Sequence, residues 1–180
     1  EECLENTSKN TLCYLIKNST KQTLWLLGDS HAMSLALAGE QVASSLEMNL
    51  KLYTGPSTPF PPVKKYQKSQ KKGYLQLLQD FRLVEKELYK QIKVGDIIFL
   101  SMRMPFHFGG TYYEYPPSDF VFIRKDGSFG SQENHFDEWI TSVVNLANLA
   151  QQKGAKVIIQ TPTPEWEQQH KPPEFCAISQ

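Results

Sequence analysis

Apolar positions along the chain fall into short runs separated by longer stretches of helical periodicity. Leu24-Trp25-Leu26-Leu27 is the first run, and Thr23 to Leu27 is a predicted buried strand. Asn49 to Thr54, Ile97 to Ser101 and Ala155 to Gln160 are predicted strands as well. Between them, Ala32 to Leu46 is a predicted helix, with Met33, Leu35, Leu37, Val42 and Leu46 supplying most of its apolar positions. In Tyr74 to Ile92 the residues Leu77, Leu78, Phe81, Val84 and Leu88 fall at helical spacing, and Gly95-Asp96 stops the helix. His135 to Lys153 carries Phe136, Trp139, Ile140, Val143, Leu146 and Leu149, and Gly154 ends it. Short apolar strands alternating with helices predict an α/β fold of three layers, α/β/α, with a mainly parallel sheet. Functional groups in such sheets gather at the carboxyl ends of the strands. Ser30, Gly55, Arg103 and Thr161 to Pro164 all belong to that edge.

Three regions break the rhythm. Gly55-Pro56-Ser57-Thr58-Pro59-Phe60-Pro61-Pro62 is a loop in which neither helix nor ladder can continue. Lys64, Lys65, Lys68, Lys71 and Lys72 form a basic lead-in to the second helix; it could meet an acidic glycan or lipid headgroups, but such a run is more often a solvated approach. Residues 104–134 are too long for a simple connection and hold Phe106, Phe108, Tyr112, Tyr113, Tyr115, Phe120, Phe122 and Phe129. Those rings either stack on sugar faces or pack on one another. Phe120-Val121-Phe122-Ile123 followed by Lys125-Asp126-Gly127-Ser128 predicts a small hairpin there.

Composition narrows the class. A chain of 180 residues suits one domain, residues 1–180, with a real core. Nineteen basic and nineteen acidic residues cancel, which argues against bulk attraction to nucleic acid or an anionic membrane. Apolar runs of about four residues do not span a bilayer. Opening at Glu1-Glu2-Cys3, the chain is expected to be a mature or excised piece of something larger. Cys3 and Cys13 would close a small loop of the kind found in oxidising compartments, or they are two unrelated thiols. Cys176 is left over, which an additional downstream cysteine would explain. Asn6-Thr7-Ser8 and Asn18-Ser19-Thr20 match glycosylation acceptors, which matters only in a secretory host.

The chemistry concentrates in Gly28-Asp29-Ser30-His31-Ala32. A serine where a buried strand hands over to a helix is well placed as a nucleophile, because N–H groups of the first turn are free to stabilise an oxyanion. The bland alternative is that Asp29 and Ser30 merely cap the helix. Asp29 is the better candidate for a structural cap, since an adjacent side chain cannot easily orient a base for its neighbour.

Gly-Asp-Ser-His-Ala after an N-terminal apolar strand resembles the SGNH (GDSL-type) hydrolases. More narrowly, the chain is similar to the SGNH domain fused to membrane acyltransferases of the acyltransferase-3 family. The Cys3/Cys13 lead-in, Phe99-Leu100-Ser101-Met102-Arg103 and Thr161-Pro162-Thr163-Pro164 before a cysteine extend the likeness over nearly the whole chain. The resemblance implies a flavodoxin-like fold and an extracytoplasmic domain of a larger membrane protein. It also implies O-acetyl transfer to a cell-surface polysaccharide, with the membrane acyltransferase domain as acyl donor and a carbohydrate acceptor. No cofactor, metal or nucleic acid is implied. By position, Ser30 would take the acyl group, with its own N–H as one oxyanion donor. Gly55 matches the second-block glycine, and Arg103 stands where typical members carry an asparagine.

Such enzymes take their base and its orienting acid from a C-terminal Asp-x-x-His, and residues 161–180 contain none. A further strand after Pro164 is also expected of the fold, so the chain is expected to stop before the fold is complete. Of the four histidines, His31 is expected to be locked to the helix start and to point away from Ser30, and His170 to be solvated; His107 and His135 flank the aromatic insertion, where either could be a surface residue, and the less favoured alternative is that one of the four is the base. Two other functions stay open: an esterase of the same fold, and a glycan-binding module that has lost its base.

Overall fold

The four predicted apolar runs assemble into one parallel sheet around Thr23–Gly28 (β2). β2 lies between Asn49–Thr54 (β3) and Ile97–Ser101 (β5), with Lys156–Ile159 (β7) outside β5. A further strand, Cys13–Ile16 (β1), pairs antiparallel with β3, giving the order β1-β3-β2-β5-β7. Gly28 stands opposite both Thr54 and Ser101, so the three inner strands end level with one another. The computed structural model describes residues 13–16, 21–55, 58–67, 71–108, 120–124 and 126–160. Cys3, Cys176, His170, both glycosylation motifs and Thr161 to Pro164 lie outside the described residues.

β2 is buried on both faces, and its alternation separates two cores. Trp25 and Leu27 face one side with Tyr53, Ile98 and Leu100, where Lys71–Gln91 (α3) and Gln132–Gln152 (α5) contribute Phe81, Leu88, Trp139 and Leu146. Each such fully buried side chain is worth about 1.5–3 kcal/mol. Leu24 and Leu26 face the other side with Leu50 and Leu52, under Ser30–Ser34 (α1) and Ala36–Ser45 (α2). The three-layer α/β/α reading holds.

The first helix differs from its prediction. Ala32 to Leu46 is not continuous, because Leu35 ends α1 and opens α2. The buried side consists of Ala32, Ala36 and Ala43, while Leu37, Val42 and Leu46 are 67, 47 and 56% exposed. Close approach explains the inversion: a Cβ on Gly39 would sit 3.1 Å from Leu26 Cδ2. Leucines on that side would hold the helix off the sheet, so the small residues face inward.

The Pro-rich loop turns inward instead of lying on the surface. Thr58, Pro59, Phe60 and Pro61 are buried, and the Trp139 indole donates to the Phe60 carbonyl at 3.2 Å. The lysine lead-in contributes a strand, Lys65–Gln67 (β4), that pairs antiparallel with Phe120–Phe122 (β6). The predicted hairpin exists only as a tight return: Arg124 and Ser128 are hydrogen-bonded, and Ile123 bridges Phe129, while β4 supplies the partner of β6. α5 starts at Gln132, three residues before its predicted start, because Ser131 and Asn134 form a reciprocal cap at its amino end.

The amino end of β2 is closed by Asp96. Its buried carboxylate accepts the Thr23 N–H at 2.8 Å on Oδ1, and the Lys93 N–H at 3.1 Å and the Trp25 indole at 3.4 Å on Oδ2.

Candidate functional site

At the other end of β2 the chain must leave a crowded sheet and start a helix within two residues. Gly28 makes this possible: its φ is +151°, and a Cβ there would fall 1.8 Å from the Ser101 carbonyl oxygen. Only glycine lets β2 and β5 approach so closely at this point. Asp29 follows as the cap of α1, its Oδ1 accepting the His31 N–H at 2.8 Å. Ser30 is then the first residue of α1, and it is exposed while Gly28 and Asp29 on its amino side are buried.

Asp29 does more than cap. Its Oδ2 accepts the Arg103 N–H at 2.9 Å and meets His107 Nε2 at 2.8 Å. His107 belongs to Met104–Phe108 (α4), a short helix inside the aromatic insertion. Its ring is wholly buried, with Phe106 at 5.2 Å edge-on and Phe108 at 5.8 Å. Burial alone pushes the Asp29 carboxyl up. The His107 hydrogen bond and charge, with the N–H groups of Arg103 and His31, outweigh burial and hold it below the usual carboxylate range. The ionised carboxylate only accepts, so His107 Nε2 carries a proton.

The remaining predicted residues group around this pair. Arg103 is half-buried at the end of β5, joined to Asp29 through its backbone. Gly55 adjoins the end of β2, but its N–H is not a spare donor: it bonds the Gly28 carbonyl at 3.2 Å. A Cβ on Gly55 would lie 2.5 Å from Phe81, so this glycine makes room for α3. Ser101, fully buried beneath Gly28, donates to Gln160, which ties β5 to the residue after β7. The backbone of Cys13 lies in β1, and its proposed partner Cys3 is outside the described residues.

Two histidines are corrected. His107 and His135 are not surface residues; both are buried, His135 against Phe122 at 5.2 Å and Phe108 at 5.8 Å. His31 is half-buried at the helix start as expected, with Nδ1 3.3 Å from Asp29 Oδ1. Both His31 and His107 therefore turn to Asp29. The described part of the aromatic insertion packs on itself and on α5: Phe106 meets Phe120 at 5.6 Å, and Phe108 meets Trp139 at 4.7 Å and Phe136 at 5.3 Å on that helix. Phe129, 80% exposed, is the exception. The pairing of His107 with Asp29 joins residues 78 apart in sequence, and periodicity carries no signal for it. The available hint was chemical, since a carboxylate behind a buried strand end needs donors from elsewhere.

The site can present a serine hydroxyl to solvent from a backbone fixed on both sides. Among the described residues, no cluster of three or more His, Cys, Asp or Glu side chains could hold a metal ion. No described helix is long and apolar enough to cross a membrane. A family model described as the SGNH domain, fused to AT3 domains, matches residues 2–179. No curated protein matches the chain, and no solved structure does.

Proposed function

The chain belongs to the family of SGNH domains fused to AT3 domains, and from that premise we propose that it transfers an acetyl group to hydroxyls of a cell-surface polysaccharide through an acyl-serine at Ser30. The family makes it an acyltransferase-associated, hydrolase-like module. The donor is a membrane acyltransferase domain, the module works outside the cytoplasm, and residues 1–180 act as one domain. The observation that carries this reading is an exposed Ser30 between two immobilised neighbours, Gly28 against Ser101 and His31 on Asp29.

Ser30 Oγ attacks the donor carbonyl carbon while a base takes its proton. The carbonyl oxygen becomes an oxyanion, stabilised by the Ser30 N–H at the start of α1 with Arg103 close by. Collapse expels the donor's leaving group, which recovers the proton, and leaves acetyl-Ser30. A sugar hydroxyl then repeats the attack, releasing the acetylated glycan and restoring Ser30. His31 and His107 turn to Asp29, and His135 is buried among Phe108 and Phe122. We therefore assign the base to a group outside the described residues.

A second reading, a glycan-binding module without catalysis, has the same fold and the same exposed Ser30. Incubating the full-length protein with isotopically labelled acetyl donor and glycan distinguishes them. Transfer predicts label on Ser30 and then on the glycan, both lost in Ser30→Ala. Label released only as acetate identifies an esterase. An unlabelled Ser30 that also resists a fluorophosphonate, with glycan binding retained in Ser30→Ala, identifies the binding module.

A further inference from the structure

The acyl-transfer steps make no use of the buried imidazole behind Ser30. Asp29 carries three donors on two oxygens, each from a different part of the chain: His31 N–H from the serine turn, Arg103 N–H from the end of β5, and His107 Nε2 from α4. Two of these are backbone groups whose positions follow the path of the chain. Only the His107 donor is a side chain, and it is enclosed by Phe106 and Phe108 with no exposed surface. Without it a buried carboxylate loses its one side-chain hydrogen bond, since the His31 ring, at 3.3 Å, makes none, and rotation or protonation relieves the deficit. Either movement loosens the Oδ1 bond to the His31 N–H. Ser30 lies between that bond and Gly28, which is wedged against the Ser101 carbonyl.

We propose that His107 is a positioning residue for Ser30: by donating from Nε2 to Asp29 it holds the turn that presents the serine hydroxyl, without touching the acyl group. The proposal rests on the reading of Ser30 as the nucleophile. It also gives the aromatic insertion a task near the site, since Phe106 and Phe108 keep water away from the imidazole–carboxylate pair.

Three substitutions in the full-length protein test it, with p-nitrophenyl acetate as acyl donor. His107→Gln keeps an N–H near the position of Nε2, His107→Asn stops one bond short, and His107→Phe keeps a ring without a donor. His107→Phe and His107→Asn are expected to slow acylation of Ser30 roughly ten- to a hundredfold per folded molecule, because small misplacement of a nucleophile costs that much. KM should stay within about twofold, and His107→Gln should recover most of the rate. Equal rates per folded molecule in all three variants overturn the positioning role. If His107→Phe does not fold, the contrast between Gln and Asn decides alone. Ser30→Ala separates the two layers: where it is inactive, a silent His107 series refutes positioning only; where it stays active, the nucleophile reading falls and positioning with it.

Discussion

β2 ends in a buried carboxylate at each extremity, and the two do different work. Asp96 at the amino end is surrounded by fixed N–H donors, from Thr23, Lys93 and the Trp25 indole, and binds the start of β2 to the turn before β5. Asp29 at the carboxyl end also accepts two backbone N–H groups, but its third partner is an imidazole, and its neighbour in sequence is an exposed serine. The first arrangement closes the sheet. The second leaves a hydroxyl outside while fixing everything behind it. A buried carboxylate alone therefore does not mark a site; what sets the Asp29 end apart is the titratable partner and the open residue beside it.

Substitutions at the two ends should separate activity from stability. The largest effect belongs to Ser30→Ala, which should lower acyl transfer by about a thousandfold or more, as loss of a nucleophile does. Its melting temperature should not move, because the residue is exposed. Asp96→Ala should do the reverse. It strands two buried N–H groups, of Thr23 and of the Trp25 indole, each costing about 1–3 kcal/mol, so urea denaturation should show a loss of at least about 2 kcal/mol with the rate per folded molecule unchanged. An Asp96 variant that stays stable but loses activity would erase the distinction between the two ends.

Acid sharpens the contrast next. The folded-state Asp29 carboxyl is held below its unfolded value of about 3.8. Its stabilising contribution is therefore complete above about pH 4 and disappears as pH falls through the lower folded value. Urea melts at pH 7 and pH 3 should show a smaller acid loss in Asp29→Asn than in the parent chain. The smallest effect is expected far from both ends: Leu37→Ser on the outward side of α2 should change stability by no more than about 0.5 kcal/mol. A larger loss would mean that this side is covered.

The sheet was legible because buried parallel strands are written as near-continuous apolar runs, and all four lie where those runs do. Ser30 at a strand-to-helix handover was legible for the same reason, since the run ends abruptly at Gly28. β1 and β4 were not legible because short edge strands need no apolar pattern. The inward face of α2 was not legible, because large residues outweigh small ones in any hydrophobic pattern. Ala36, Gly39 and Ala43 face the sheet because they are small, not because they are strongly apolar. His107 and His135 were misplaced because a histidine inside an aromatic run has no periodicity, and its burial depends on partners distant in sequence.

The most direct measurement is mass spectrometry of the full-length protein quenched during turnover with labelled acetyl donor. One acetyl group should appear on the peptide containing Ser30, vanish on adding acceptor glycan, and never form in Ser30→Ala. Acetylation at another residue, or label on the glycan from the Ser30→Ala protein, would contradict the assignment.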